Sequence, residues 1–536
     1  MTIFDEPHRM TRRGLLAAGG ALAAGGLLAG CGRASGRALG ALTVSVPLLP
    51  DRLHTTRAVG PILGVVLLGL EPLMLLGPDG AVRPNLALSH EQPKPTRHVF
   101  RLRPGVRFWD GSPLTADDVV ASFEAHFAKG SDSAAGSYWT TVARVRAERP
   151  DVVVVDLHRP QTDFVYTVAR TGVFSAAYAR RHGPRLGTPG VLNMGTGPYR
   201  FETMTPYSRV LMTRNERYWG GVPRAGRIDA QVLDKNGLLL GVQAGEIDVV
   251  FNVPNTHLAS FSDLRDVTLT KVVDAAVYKF NFSAGKEPWN DPHLRRAFAH
   301  TVDRAAIARD VMHGAVPAAA PAPPANFSGT MPEAKVQAAY AELDRLLPAH
   351  DLARARRELA ASSRPDGLDV TVLVLPSDPS LSSITQTVAQ SAAKIGINVK
   401  VREADEGTYT NAVYLKHETE GLSIDNFGAG SPDVLNVPDL VFHSRNSRPD
   451  GFTNVADHRD AGIDALLDEG ARLKAGDPAR AKLSLEVLAR GARELPYLPV
   501  AYPNLYLALK DQYRFTGFNA YWWMNRWPDQ LHPAGA

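Results

Sequence analysis

Residues 370–401 read VTVLVLPSDPSLSSITQTVAQSAAKIGINVKV, and this stretch decides the fold class. Its first part, 370–375, is an apolar run of strand length, 382–394 is typical of a helix, and 397–401 is a second strand-like run. A strand, a helix and a strand in this order form a βαβ unit, whose two strands pair in parallel. The stretch therefore predicts an α/β protein.

Further elements are predicted on both sides of this unit. Apolar runs and alternations predict strands at 42–46, 98–102 and 152–157. Thr115 and Asp291 stand where each would cap a helix, and Asp477 followed by proline opens a further long helix. The segment 497–509, which follows that helix, is apolar and is predicted to be extended.

The chain is long, evenly charged and poor in cysteine. Its 536 residues exceed what one hydrophobic core normally serves, so two or three domains are expected. Lysine and arginine number 59 against 55 aspartate and glutamate, and no run of five like charges occurs. This pattern gives no support to nucleic-acid binding. Because Cys31 is the only cysteine, a disulfide within the chain is excluded.

The N-terminal residues have the pattern of an export signal. Arg12 and Arg13 precede residues 14–30, which consist only of Gly, Ala and Leu, and Cys31 follows. A transmembrane helix is the alternative, but this apolar stretch is shorter than the ~20 residues that span a bilayer core, and it is rich in glycine. Arg12-Arg13 resembles a twin-arginine signal, and the general secretory route stays open.

The residues around the predicted cleavage point resemble a lipobox. Leu28-Ala29-Gly30-Cys31 places two small residues before the cysteine. In such a sequence the Cys31 thiol receives a diacylglycerol group, and cleavage leaves Cys31 as the lipidated N-terminus. We therefore predict a signal peptide over 1–31 and an exported protein that Cys31 anchors at the outer face of the cytoplasmic membrane. Residues 32–41 would form a flexible tether.

Four blocks of residues, in order along the chain, resemble one known family. The blocks lie at 71–119, 195–219, 245–248 and 291–304. The first contains Arg103-Pro104-Gly105-Val106 and Trp109-Asp110-Gly111, and the second opens with Gly195-Thr196-Gly197-Pro198-Tyr199. On these residues the chain is similar, from about 42 to about 510, to the bacterial extracellular solute-binding proteins of peptide and nickel ABC importers, family 5.

The resemblance implies a two-lobed fold of the periplasmic-binding-protein type (class II), which closes around its ligand by a hinge. Lobe I would be discontinuous, at 42–262 and 487–536, with an extra subdomain at about 60–190, and lobe II would be 263–486. The resemblance further implies a monomer without cofactor that holds a small, peptide-like ligand in the cleft and delivers it to the permease subunits of an ABC transporter.

The resemblance also points to one loop, 425–433, as a ligand site. In peptide-binding members an Asp in a Trp-rich loop, before an Asp-Pro step, pairs with the ligand's amino terminus. Ser431-Pro432 stands here at the Asp-Pro step, so Gly428 falls at the amino-binding Asp and Asp425 at the Trp. A buried ammonium without a counter-charge is costly. Either Asp425 or Asp433 replaces the missing acid, or the ligand is not an ordinary peptide. The candidate contacts in the loop are Asp425, Asn426, Phe427, Gly428 and Asp433. The alternative is a solvent-exposed loop of ordinary turn residues.

Two aromatic pairs are further candidates. Tyr138-Trp139 and Trp522-Trp523 would line the mouth of a cleft or contact a transporter, and Trp527 lies close to the second pair. The alternative is that these side chains pack onto the core, as large aromatic residues commonly do.

Catalytic and metal-binding patterns are missing from the sequence. It contains no GxSxG, GxxxxGK[ST], GxGxxG, HExxH or CxxC motif. His417, His443 and His458 would suit a metal-chelate ligand if they met, but ordinary hydrogen-bonded histidines are the alternative. We therefore predict a binding protein with no catalytic or metal site. A lipoprotein that senses a ligand and signals to a partner, and an enzyme on the same fold, are the competing hypotheses.

Overall fold

A computed structural model describes residues 39–161, 163–449 and 451–535. The predictions for Arg12, Arg13 and Cys31 lie outside these residues, as does most of the predicted tether. Two large sheets, several small ones and many helices make up the described chain, which confirms the predicted α/β class. None of the described helices has both the length and the apolar character needed to cross a membrane.

A seven-stranded mixed sheet contains strands from both ends of the described chain. In spatial order its strands are Val267–Val273, Asn504–Lys510, Val249–Phe251, Leu39–Ser45, Ala225–Gln231, Arg209–Arg214 and Tyr199–Thr205. Leu39–Ser45, which covers most of the strand predicted at 42–46, is parallel to both of its neighbours. Asn504–Lys510 is antiparallel to both of its own. The chain therefore returns near its C-terminal end to the sheet in which it started.

A separate four-stranded antiparallel sheet lies within residues 87–157. In spatial order its strands are Ala87–Lys94, Arg97–Leu102, Val152–Leu157 and Val142–Arg149, and the two central ones confirm the strands predicted in this region. The helix Ala116–Glu124 packs on this sheet and begins with a capping box between Thr115 and Asp118, which confirms the predicted cap.

The second large sheet is antiparallel and has four strands. In spatial order these are Val316–Pro317, Tyr497–Tyr502, Ala276–Phe282 and Leu422–Gly428. All seven residues of Ala276–Phe282 are buried, so both faces of this central strand are covered.

The predicted βαβ unit is present beside this sheet. Leu368–Val374 pairs in parallel with Ile397–Glu403, and the helix Pro379–Ala392 connects them. The helix begins three residues earlier than predicted because Asp378 caps it and Pro379 fits its first turn. Gly396, with a φ of +94°, then turns the chain into the second strand.

The chain passes directly between the two large sheets at two points. It leaves the seven-stranded sheet through Asp274-Ala275 and returns to it through Pro503. The extended segment predicted at 497–509 is therefore two strands, one in each sheet, because proline has no N–H with which to continue a ladder. Backbone rotation at these two crossings would move one sheet against the other. The predicted lobe boundaries, 42–262 with 487–536 and 263–486, stay a prediction.

Helices flank the sheets. Asp291 caps Pro292–Ala299, and Asp477 caps Pro478–Glu494, both as predicted. The other α-helices of five or more residues in the described chain are Leu63–Gly69, Phe164–Ala169, Ala176–His182, Lys235–Gln243, Leu258–Ser262, Glu333–Leu346, Leu352–Ala360, Glu406–Thr410, Asn436–Phe442 and Ala461–Arg472.

Candidate ligand-binding site

The predicted loop 425–433 begins in the strand Leu422–Gly428. Gly428 ends this strand opposite Ala276, which places it beside the crossing at Asp274-Ala275. It is exposed, and a Cβ atom built on it would meet no other atom within 4 Å. A side chain therefore has room at the position where the resemblance expects an acid, and this chain has none there.

Strand alternation divides the candidate residues between two faces. Neighbouring residues of a strand point to opposite sides, so Asn426 and Gly428 share one face, and Asp425 and Phe427 share the other. Asn426 is exposed, whereas Asp425 is 1% exposed. The open face at the end of the strand is thus the face of Asn426 and Gly428.

Asp425 forms a buried ion pair with Lys279, the residue opposite it on the neighbouring strand. The Lys279 Nζ lies 2.9 Å from Oδ1 and donates to Oδ2 at 3.0 Å, and the Tyr414 hydroxyl donates to Oδ2 at 3.1 Å. Burial lowers the pKa of Lys279, and the Asp425 carboxylate opposes that shift. The carboxylate therefore serves as the counter-charge of an internal cation.

Asp433 is committed in the same way to Arg480. Both side chains are at most 2% exposed, and the guanidinium donates to the two carboxylate oxygens at 2.7 and 2.8 Å. The Leu435 N–H also donates to Oδ1 at 2.9 Å. Burial raises the pKa of Asp433, and the guanidinium opposes that shift. The pair fixes the end of the loop to the helix Pro478–Glu494.

Asp163 ties the loop to the helix Phe164–Ala169. Its Oδ2 accepts hydrogen bonds from the Asn436 side chain at 2.8 Å and from the Ser431 hydroxyl at 3.2 Å. These residues are 268 or more positions apart in sequence, so the contact is a tertiary one. It holds the end of the loop against the part of the chain that follows the four-stranded sheet within residues 87–157.

Arg170 directly follows the helix Phe164–Ala169 and contacts the loop. Its Nη2 donates to the carbonyl oxygen of Gly430, and its guanidinium carbon lies 4.1 Å from the centre of the Tyr138 ring and 5.8 Å from that of Trp523. Both aromatic residues are half-buried. No motif pointed to Arg170. The sequence does carry one signal, a single cation directly after the segment FVYTVA, and the structure buries every residue of that segment.

The neighbours of the predicted aromatic pairs are core residues. Trp139 is fully buried and stacks on His126 at 5.3 Å, while Trp522 is 1% exposed and stacks on Phe251 at 3.9 Å. Trp527 is also fully buried. Packing accounts for these three indoles, and within the two predicted aromatic pairs Tyr138 and Trp523 have partly open rings.

Two further acidic residues near the open face were not predicted. Asp378 accepts hydrogen bonds from the Tyr278 hydroxyl at 2.9 Å and from the Asn426 side chain at 3.4 Å. Burial, followed by the effect of this carboxylate, raises the pKa of Tyr278 above its usual range. Asp274 lies at the crossing, where burial raises its pKa to about 6. The contacts of Asp378 join two strands to a helix cap, and the spacing of residues in the sequence does not predict them.

The three histidines considered for a metal chelate have separate carboxylate partners. His417 pairs with Asp457 at 2.9 Å, His443 with Asp464 at 3.3 Å, and His458 with Glu494 at 2.5 Å. Within the described residues no group of three or more metal-ligating side chains could hold a metal ion.

A cavity of about 550 Å³ lies away from the loop. Its walls include His90, His98, Gln161, Tyr166 and Lys474. The described walls of this cavity include no residue of 425–433 and none of the predicted aromatic residues. The volume of this cavity is therefore not a measure of the space beside Gly428.

The fold is that of a two-lobed α/β binding protein, and comparisons with known proteins identify the family. The family model described as "Bacterial extracellular solute-binding proteins, family 5 Middle" matches residues 81–449. The chain therefore belongs to this family, as its motifs predicted.

Individual proteins resemble the chain over most of its length. The glutathione-binding protein GsiB of Salmonella typhi is 25% identical over 432 residues, 78% of this chain and 80% of that protein. The heme-binding protein A of Haemophilus influenzae is 26% identical over 438 residues, 76% of each chain. The solved structure of HbpA2 from Haemophilus parasuis matches with a TM-score of 0.76 at 23% identity, covering 92% of this chain and 99% of that one. The structural match confirms the predicted binding-protein fold.

Proposed function

We propose that this protein captures a small, peptide-like solute beside Gly428 and delivers it, as a monomer, to the permease subunits of an ABC transporter. Family membership supports binding without turnover. The open space at Gly428, beside the crossing between the two large sheets, carries the proposal, because it lies where the resemblance places the ligand's amino end. The half-buried rings of Tyr138 and Trp523 offer apolar surface for such a ligand.

Position 428 offers no acid to the amino end of a ligand, and the two loop acids that could replace it are already paired. Asp425 lies on the opposite face of the strand and neutralises Lys279, while Asp433 neutralises Arg480. Removing either carboxylate from its partner would leave a buried cation unpaired, at a cost of about 3–5 kcal/mol. Free-amino dipeptides and tripeptides should therefore bind poorly, and peptides with a modified amino end should bind better.

We further propose that the protein is exported and anchored by a lipid on Cys31. The support is the order of Arg12-Arg13, the apolar segment 14–30 and the lipobox-like residues before Cys31. A binding protein that feeds a membrane transporter gains from being held at the membrane surface.

A ligand screen by thermal unfolding tests the binding function. The compounds are glutathione, heme, free and N-acetylated peptides, oligosaccharides and metal chelates, the first two because GsiB and heme-binding protein A are named for them. A ligand at a hundred times its Kd stabilises the folded state by ~2.7 kcal/mol, which is readily measured. We expect at least one stabilising compound, recovered unchanged by mass spectrometry.

Two results would contradict the proposal. Chemical conversion of the bound compound by the pure protein would establish an enzyme. Normal uptake of that compound by cells lacking this protein would instead favour the sensor hypothesis.

A further inference from the structure

Two segments of the chain, residues 101–113 and 214–227, meet and form what we call the basic surface. They touch where the guanidinium carbon of Arg103 lies 4.8 Å from the centre of the Trp219 ring. Together the two segments carry seven arginines and only two acids. The arginines are Arg101, Arg103, Arg107, Arg214, Arg217, Arg224 and Arg227.

Much of this positive charge has no acid to balance it. Arg101, Arg217 and Arg227 are exposed, and within the described chain none of the three forms an ion pair. Of the two acids, Glu216 is already paired with Arg214 at 2.6 Å. The basic surface therefore keeps an excess of positive charge, which attracts an anionic partner.

Apolar side chains lie among these arginines. Val222 is 59% exposed in the second segment, and Leu88 is 52% exposed beside the first. Leu88 forms one wall of a groove of about 440 Å³. The other walls of the groove include Leu102, Val106, Arg101, Arg103 and Arg107. Exposed apolar groups next to basic ones suit the boundary between the headgroups and the acyl chains of a membrane.

The first strand of the seven-stranded sheet starts beside the basic surface. The N–H of Leu39, at the beginning of that strand, donates to the Arg224 carbonyl at 2.9 Å. Cys31 precedes Leu39 by eight positions, and eight residues of chain span at most ~29 Å. Arg33 and Arg37 lie within those eight positions and add to the positive charge. A lipid on Cys31 would therefore keep this end of the sheet close to the membrane.

We propose that the basic surface binds the anionic phospholipids of the membrane to which the protein is anchored. This inference rests on the proposed lipid anchor at Cys31. The arginines bond to phosphate oxygens, and the exposed Leu88 and Val222 lie at the level of the headgroups. The contact sets the orientation of the seven-stranded sheet on the membrane, which a tether alone does not.

Vesicle sedimentation tests the inference in the absence of the lipid anchor. The chain from residue 32 onward is used, because it lacks the predicted signal peptide and Cys31, and because Arg37–Ala536 forms one compact unit. It is mixed with vesicles of equal parts phosphatidylglycerol and phosphatidylcholine, or of phosphatidylcholine alone. We expect binding to the anionic vesicles only. Raising NaCl from about 0.1 M to about 1 M should abolish it, because the Debye length falls from ~10 Å to ~3 Å.

A triple variant connects this binding to the basic surface. It combines Arg101→Gln, Arg217→Gln and Arg227→Gln, which change exposed side chains without an ion pair in the described chain. Each arginine near an anionic membrane contributes roughly a fivefold gain in affinity. The triple variant should therefore bind the anionic vesicles about 100-fold more weakly than the wild type.

A second triple variant is the matched control. It combines Arg357→Gln, Arg364→Gln and Arg402→Gln, which remove the same charge from exposed arginines that also lack an ion pair in the described chain. These residues lie within or close to the βαβ unit, outside the basic surface. The control should bind the anionic vesicles as the wild type does, and thermal unfolding checks that both variants are folded.

The outcomes separate the inference from the lipid anchor on which it rests. Equal binding to both kinds of vesicle would overturn the inference. Binding to neither would also overturn it and would favour a protein partner for the surface. Equal weakening in the two triple variants would reduce the effect to net charge and overturn it as well. The anchor is tested separately by Cys31→Ser in membranes washed with about 1 M NaCl, which removes electrostatic contacts.

Discussion

The substitution Gly428→Asp tests whether an acid at position 428, where this chain has none, would hold the amino end of a ligand. Gly428 is exposed, its backbone is outside the left-handed region, and a Cβ atom would touch nothing within 4 Å. The substitution therefore fits without displacing a neighbour, and its effect on folding should stay within about 0.5 kcal/mol.

The gain in binding comes from one new ion pair. An ammonium held by the new carboxylate forms a charge-assisted hydrogen bond worth about 1.5–3 kcal/mol. That range corresponds to about one to two decades in Kd. The lower end is expected here, because a carboxylate on an exposed strand end stays partly hydrated. Peptides with an acetylated amino end lack the charge and should bind the variant no better than the wild type.

Calorimetry with matched peptides measures this difference. Free-amino and N-acetylated forms of the same dipeptides are titrated into wild type and Gly428→Asp. Gly190→Asp is the control, since Gly190 is also exposed and a Cβ atom at its position would likewise meet nothing within 4 Å. Tight wild-type binding of free-amino dipeptides would refute the reasoning about the missing acid. An unchanged Kd in Gly428→Asp would show that the amino end does not lie at this position.

Buried groups and the N-terminus give three further predictions. Asp425→Asn should lower the free energy of unfolding by about 3–5 kcal/mol in urea denaturation, because Lys279 loses its counter-charge. Removing the acid of the exposed Lys400 pair by Asp369→Asn should cost less than about 1 kcal/mol, and equal costs would contradict the ion-pair argument. Since burial raises the pKa of Asp274 to about 6, the folded state holds this proton, and the stability it gives is lost as pH rises from about 4 through 6. Asp274→Asn should flatten that decline and add about 1–2 kcal/mol at pH 7, and parallel pH profiles of the two proteins would exclude the effect. Cys31→Ser should release the protein from the membrane fraction, and continued membrane association would disprove the lipid anchor.

Local structure was predictable where one or two residues fix the backbone conformation. Aspartate followed by proline marks a helix start, and the two helices predicted on this pattern, after Asp291 and Asp477, are present. The same step at Asp378-Pro379 starts a third helix. The βαβ unit at 370–401 was visible because its apolar runs have strand length and are separated by a helix-length segment. The family motifs also predict how the helices and strands are arranged in space, which hydrophobic periodicity alone does not predict.

The candidate site was less predictable, because its contacts join distant parts of the chain. Arg170 meets Gly430 across 260 positions, and Lys279 meets Asp425 across 146. Neither pairing follows from composition or spacing. Tyr138 and Trp139 show the same limit at short range, since a 3-10 turn sends one ring to the loop and its neighbour into the core.

The register of the strand decides which residue could replace the missing acid. Asp425 is three positions from Gly428, and an odd offset places two side chains on opposite faces of a strand. A shift of the alignment by one residue would bring Phe427 or Ala429 to the site, and both belong to the buried side of the sheet. Only an even offset keeps a residue on the open face, and that residue is Asn426, which already donates to Asp378. The sheet therefore favours positions 426 and 428 for the loop alignment. Gly428 has room for a side chain, whereas the Asn426 side chain is already bonded to Asp378.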